Sequence, residues 1–358
     1  MEKQKIKVGI TQGDINGIGY EVIIKTLSDN QLFEYCTPII YGSPKVAAFH
    51  RKMLDIQTFN VNVVANASEI HPRRINMVNC SDDEIKVEIA QQSQAAGEAA
   101  FASLEAAVKD LNAGLIDVLV TAPINRKSIE NEQFKFPGHT EYLEQVFGSK
   151  GDALMLLVNN GLKVAILTGH VPLSKVPELL TEELIIKKAT TLNSILIQDF
   201  AIRKPRIAVL GLNPHAGGNG LLGAEEEQII IPALKKLDQK GIICVGPLAA
   251  DSFFGSGHFS RFDGVLAMYH DQGMIPFKSI SMNMGVNFTS NLPVIRTAPI
   301  HGTEYEIAGQ NIASEQSFRQ ALYMACDIYF NRLQYKEISQ NPLKKQLVDR
   351  NEKDITIS

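Results

Sequence analysis

Cysteine is scarce in this chain, basic residues are not in excess, and no long apolar run is present. The four cysteines, Cys36, Cys80, Cys244 and Cys326, lie far apart with no C-x-x-C spacing, which argues against a zinc ribbon and against a secreted disulfide framework. They read as reduced, mostly buried thiols. Lys and Arg number 35 against 39 Asp and Glu, a net charge of -4. That balance removes the sequence-independent phosphate attraction on which most nucleic-acid binders depend, so the expected partner is a small molecule, with room for a local basic pocket. The best apolar stretch, 153–158, is strand-sized and far short of the roughly 20 residues a membrane helix needs. Residues 1–7 alternate charge and run into a strand pattern, without the apolar core of a signal peptide; a cytoplasmic location is expected. No internal repeat, low-complexity tract or Pro/Gly/Ser linker interrupts the 358 residues. With 45% apolar and 21% charged residues the composition is that of a soluble globular protein. At roughly 150 residues per domain the length suits two lobes or one large α/β unit.

Short Val/Ile/Leu-rich runs alternate with longer amphipathic stretches, the pattern of an α/β fold with a parallel sheet and helices on its faces. Strands are predicted at 6–10, 38–41, 60–64, 118–121, 153–158, 164–167, 207–210, 242–245 and 264–268. Most are apolar at successive positions, which means burial on both faces. Helices are predicted over 91–111, with Gly114 placed to stop the first, and over 180–200, 225–237 and 317–333. The polar segment 334–358 is expected to fray or pack weakly.

Three predicted strands each run into a histidine: His170 after 164–167, His215 after 207–210 and His270 after 264–268. The carboxyl ends of parallel strands face one crevice, so imidazoles remote in sequence can converge there. A three-nitrogen site with open positions suits a catalytic divalent metal. The competing reading is that each histidine merely caps its strand.

Gly138-His139-Thr140 precedes a helix expected to begin near Glu141, a setting for an anion or for an N-cap by Thr140. Further on, Lys278, Asn287 and Arg296 stand in a region poor in charge, and Arg296 is the only charged residue of 282–299. Such an Arg needs an anionic partner, either a substrate or a structural carboxylate. Gly13-Asp14 and Gly17-Ile18-Gly19 follow the first strand, but the spacing does not match G-x-G-x-x-G. A tight turn is expected there, with Asp14 free to bind a nearby group, and a Rossmann dehydrogenase is not indicated.

Taken in order, Thr11-Gln-Gly-Asp14, Gly138-His-Thr140, Leu212-Asn-Pro-His215-Ala-Gly, Tyr269-His270-Asp-Gln-Gly273 and His301-Gly-Thr303 make the chain similar to the 4-hydroxythreonine-4-phosphate dehydrogenase family of vitamin B6 biosynthesis over nearly its whole length. The resemblance implies an α/β/α two-lobed fold of the isocitrate/isopropylmalate dehydrogenase type, with a largely parallel mixed sheet and an obligate homodimer. Lobe one is expected over 1–128 plus 289–358, with the nucleotide-binding loop, and lobe two over 129–288, with the histidines. It implies metal binding by His170, His215 and His270, His270 being supplied by the neighbouring subunit, and Asp251 close to the metal. It implies substrate contacts from His139, Thr140, Lys278, Asn287 and Arg296, and a cofactor loop at His301, Gly302 and Thr303 holding the adenosine part of NAD, with NADP as the alternative. The chain departs from the family pattern at Gln12, Ile15, Asn16 and Tyr20 in the first turn, and at Ile300 and Glu304 beside the nucleotide loop.

The implied reaction is metal- and NAD-dependent oxidation and decarboxylation of 4-phosphooxy-L-threonine to 3-amino-2-oxopropyl phosphate. Imidazole ligands suit zinc first, with cobalt, nickel or magnesium as alternatives. Asp251 and a water on the metal are the candidate proton acceptors. A paralogous dehydrogenase acting on 4-phosphoerythronate or 4-phosphothreonate would keep the same residues. A class II aldolase-like lyase and a non-catalytic binding module are rivals of other classes, and neither accounts for His301-Gly-Thr303.

Overall fold

In the computed structural model, residues 5–80, 85–130, 134–148, 151 and 153–341 are described. Twelve strands form one sheet: β1 Ile6–Thr11, β2 Cys36–Gly42, β3 Val61–Val64, β4 Ile75–Asn79, β5 Val118–Thr121, β6 Leu154–Val158, β7 Lys163–Thr168, β8 Arg206–Leu210, β9 Ile243–Leu248, β10 Gly264–Tyr269, β11 Val286–Ser290 and β12 Arg296–Pro299. Their order is β3-β4-β2-β1-β5-β12-β11-β6-β7-β10-β8-β9. Two parallel blocks, β3 to β12 and β7 to β9, flank a seam where β11 and β6 run antiparallel to both neighbours. Nine strands coincide with the predicted runs to within a few residues. β4, β11 and β12 were not predicted.

Side chains alternate across a strand, so the two faces of the sheet carry separate cores. On one face Val8, Ile10, Val120, Leu167, Val209 and Phe288 share a single cluster with the helices Gly19–Leu27, Glu182–Gln198 and Gln316–Ser339. On the other face the apolar packing is split. Tyr41 and Leu119 pack under the helix Gln94–Asn112, whereas Leu157, Ile166 and Ala267 pack with Phe277 of the helix His270–Ser281. The gap lies over the seam, where Thr121, Asn287, Thr289 and Arg296 take positions that an uninterrupted core would give to apolar residues.

Helix boundaries follow their caps. The Ser93 hydroxyl accepts from the Ala96 amide at 3.2 Å and starts the helix Gln94–Asn112, and Gly114 at φ +69° ends the run as predicted. The helix predicted over 225–237 is instead a π turn, Glu226–Ile230, followed by an α-helix, Ile231–Gln239. Pro232 lacks the N–H that a regular helix would aim at the carbonyl four residues back. The last helix continues to Ser339, beyond the predicted 333, and 342–358, the greater part of the tail expected to fray, lies outside the described residues. All four cysteines are free thiols, and no helix among the described residues is long and apolar enough to cross a membrane.

Candidate active site

The gap in the second core is a cavity of about 290 Å³. Arg296 forms its floor. It is 4% exposed, and its guanidinium donates from Nε to Thr121 Oγ1 at 2.9 Å and from Nη1 to Thr289 Oγ1 at 3.0 Å. Hydroxyls orient the group without neutralising it, and no carboxylate reaches it among the described residues. Burial lowers its pKa to about 9 while the nearby Glu141 pulls the other way, so Arg296 is charged at neutral pH. A buried cation without a bonded anion is costly, and the arrangement fits an anion entering from the cavity.

Other buried atoms are also short of a partner. His139 Nε2, Asn287 Oδ1 and His301 Nε2 are inaccessible and make no hydrogen bond within the described chain, and all three residues line the same cavity. Buried polar groups are ordinarily satisfied, so three such atoms around one Arg outline a polar ligand. His139 is held neutral, its pKa pushed well below the usual value by burial and then by the Arg296 charge. It opens the nine-residue helix His139–Phe147, which starts two residues earlier than expected and has no side-chain cap. An uncapped helix N-terminus is a setting for an anion. Thr140 is not the cap: its hydroxyl lies 3.1 Å from Thr289 Oγ1. The site thus brings a guanidinium, an imidazole, hydroxyls and a helix N-terminus to one cavity, a setting that suits an anion.

At the other side of the cavity His170 and His270 come together within one chain, their ring centroids 5.7 Å apart. His270 Nδ1 donates to Asp271 Oδ1 at 2.7 Å, and His170 Nδ1 lies 3.7 Å from Glu141 Oε1, which lowers the Glu141 pKa. A carboxylate beside each Nδ1 is the usual outer-shell arrangement of imidazole ligands, which use Nε2 for the metal. At His170 this nitrogen receives Arg126 Nη2 at 3.3 Å.

His215 is not among the residues lining this cavity. It is exposed on the turn Pro214–Gly218 after β8, and no three His, Cys, Asp or Glu side chains form a metal-binding group among the described residues of one chain. Although β7, β10 and β8 are adjacent and parallel, the turn carries His215 away from the other two. Asp251 is exposed on the short helix Ala250–Gly255, which packs against that turn. Within one chain, then, His170 and His270 are together and His215 stands apart from them.

The remaining expectations fall around the cavity's other rim. His301 and Gly302 line it; Thr303 accepts the Ile18 amide at 3.0 Å through its carbonyl oxygen. Lys278 is exposed and does not line the cavity, but its charge is close enough to help lower the His301 pKa, after burial as the main cause. Asp14 binds Tyr305, whose hydroxyl donates to Oδ2 at 2.7 Å, tying the first turn to the His301 loop. Most of the departures at the first turn face inward. Gln12 Oε1 accepts from the Tyr20 hydroxyl at 2.7 Å and the Ser43 amide at 3.0 Å, and Asn16 bridges Glu88, Gln91 and Ser93. Only Ile300 of the departing residues lines the cavity.

Sequence reasoning missed Thr121, Thr289, Glu141 and Arg126. The two threonines sit on fully buried strand positions, where polarity inside an apolar run was the available signal. Glu141 lies two residues after His139 and resembled an ordinary acidic residue of a first helical turn.

Fold and site together define a mixed α/β protein with a cleft at the sheet seam, floored by a buried arginine and flanked by a paired-histidine wall. The chain belongs to the family described as pyridoxal phosphate biosynthetic protein PdxA, whose sequence model matches residues 34–325. It is 56% identical over 350 residues to the 4-hydroxythreonine-4-phosphate dehydrogenase of Bacteroides thetaiotaomicron, covering 98% of this chain and 96% of that one. A relative from Oceanobacillus iheyensis, provisionally named a D-threonate 4-phosphate dehydrogenase, is 37% identical over 92% of this chain and 99% of its own. Among solved structures, a 4-hydroxythreonine-4-phosphate dehydrogenase from Klebsiella pneumoniae superimposes with a TM-score of 0.77 at 32% identity, covering 91% of this chain and 98% of that one.

Proposed function

We propose that the chain catalyses the NAD-dependent oxidation and decarboxylation of 4-phosphooxy-L-threonine to 3-amino-2-oxopropyl phosphate, at a site shared between two subunits in the cytoplasm. The observation that carries this reading is the buried, unneutralised Arg296 ringed by His139, Asn287 and His301, each with an unpartnered polar atom. The phosphate lies on Arg296, Thr140, the His139 imidazole as an Nε2–H donor, and the first amides of its helix, with Lys278 approaching from outside. Fixing that end orients the C3–H bond towards nicotinamide, and Asn287 Oδ1 accepts a hydrogen bond from the substrate.

A divalent ion, zinc before cobalt or magnesium, fits the donor set: His170 and His270 with oriented rings from one subunit, and His215 from the other. When bound, such an ion favours the negative charge that develops on the C3 oxygen and, after oxidation, on the enolate. With NAD bound, the nicotinamide would supply the acceptor for the C3 hydride, and the Asp251 carboxylate of the subunit that supplies His215 would accept the hydroxyl proton. The carboxylate–Cα bond then breaks, carbon dioxide leaves, and the electron pair enters the new ketone, to be quenched by a proton. His301, Gly302 and Thr303, held by Ile18 and Tyr305, form the cofactor loop. The cavity lies between lobe one, 1–128 plus 289–358, and lobe two, 129–288.

The test is NADH formation from 4-phosphooxy-L-threonine, 4-phosphothreonate and 4-phosphoerythronate, before and after chelation. Preference for the amino substrate, lost on chelation, is expected. Preference for a substrate without the amino group would move the chain to the sugar-acid branch that the Oceanobacillus relative's name suggests, and no NADH from any of them would contradict the reading.

A further inference from the structure

The turn bearing His215 is unusual in its backbone. Residues 215–220 all have positive φ: His215 at +52°, Ala216 at +50°, Gly217 at +81°, Gly218 at +53°, Asn219 at +58° and Gly220 at +85°. Left-handed conformations normally occur as single residues, because Cβ crowds the following carbonyl. Three of these residues carry a Cβ, so the local sequence does not favour the turn, and something outside it must hold it.

That holder is Glu226. Its carboxylate is 1% exposed and has no ion-pair partner among the described residues. Oε1 accepts the Asn213 amide at 2.7 Å, and Oε2 accepts Asn213 Nδ2 at 3.0 Å. Asn213 in turn receives the Ala216 amide on its carbonyl at 3.1 Å. The carboxylate also fills the space beneath the turn: a Cβ on Gly217 would stand 2.6 Å from Oε2. Glu226 opens the π turn Glu226–Ile230, a distortion that commonly marks functional positions. A carboxylate buried without a cation is costly, and the contacts made by this one all converge on the base of the His215 turn.

We propose that Glu226 is the positioning residue for His215: through Asn213 it fixes the left-handed turn that presents the imidazole outward, to the His170–His270 pair of a second copy of this chain. The proposal rests on the shared-metal reading above. Glu226 touches neither substrate nor metal, and removing its charge should change how tightly the third ligand is held while leaving the Arg296 pocket intact.

Cobalt titration followed by visible absorption tests this on the intact protein, in wild type, Glu226→Gln, Gly217→Ala and His215→Ala, with binding of inorganic phosphate measured alongside. Glu226→Gln is expected to weaken cobalt binding about tenfold or more, as for other outer-shell changes, and to shift the spectrum towards that of His215→Ala, with phosphate affinity unchanged. Gly217→Ala, which drives a methyl group against the carboxylate without altering its charge, should do the same. A wild-type cobalt affinity and spectrum in both variants would overturn the proposal. If His215→Ala itself binds cobalt like wild type, the shared-metal reading fails, and amide exchange over 213–222 decides the positioning claim separately: faster exchange in Glu226→Gln supports it and unchanged exchange overturns it.

Discussion

On the proposed reading, Arg296 is a single residue that works against stability in the interest of binding. Its guanidinium is buried beside hydroxyls and a neutral imidazole, and replacing a buried charge by an apolar side chain is often neutral or stabilising. Arg296→Met should therefore keep or raise the thermal midpoint in phosphate-free buffer, while the stabilisation that phosphate confers on the wild type disappears. A lowered midpoint with phosphate stabilisation retained would mean that the residue is structural. His50 makes a second prediction. It stacks on Tyr20 with ring centroids 5.2 Å apart, and its Nε2 lies 2.8 Å from the Ile15 carbonyl oxygen. Burial lowers its pKa from 6.5 to about 4. The unfolded chain therefore takes up a proton below pH 6.5 that the folded one refuses until near 4, so acidification across that window favours unfolding, by about 3 kcal/mol in total. Denaturant melts of His50→Phe should show a flatter dependence over this range than wild type. An unchanged slope would assign the acid sensitivity elsewhere, His139 being the first candidate because its pKa is lowered in the same direction.

At the scale of elements, what was legible in the sequence depended on which side of the seam a segment lies. Strands buried on both faces, such as β1, β5 and β10, are continuous apolar runs and stood out. β11 and β12 did not, because one face of each looks towards the cavity: Val286 and Phe288 pack in the core while Asn287 lines the cavity and Thr289 bonds its floor, Arg296. Their polarity, which hides the strand, is what makes the site. The histidines were visible as strand ends, but sequence order carries no information on the direction in which a turn leaves the sheet, so the separation of His215 from His170 and His270 was not. Gly97 tests the packing that supports the rim. A Cβ there would sit 1.7 Å from the Ser128 carbonyl oxygen, so the helix Gln94–Asn112 touches the turn Arg126–Ile129 at this glycine. Gly97→Ala should cost about 1–3 kcal/mol through overpacking, read as a lower urea midpoint, and should disturb Arg126 beside His170. An unaltered midpoint would show that the turn yields freely.

At the scale of the whole molecule, one subunit has, on the proposed reading, a whole phosphate pocket and two of three metal ligands. Two copies related by a twofold axis would complete two sites, each taking His170 and His270 from one chain and His215 from the other. That division is the central claim, and subunit complementation addresses it directly. Mixed, refolded dimers of His170→Ala with His215→Ala should recover about a quarter of wild-type activity, since about half of the dimers are mixed and one of their two sites carries no substitution. Dimers of His170→Ala with His270→Ala should recover none, because both losses fall on the same half of each site. Recovery in the second mixture and none in the first would contradict the account.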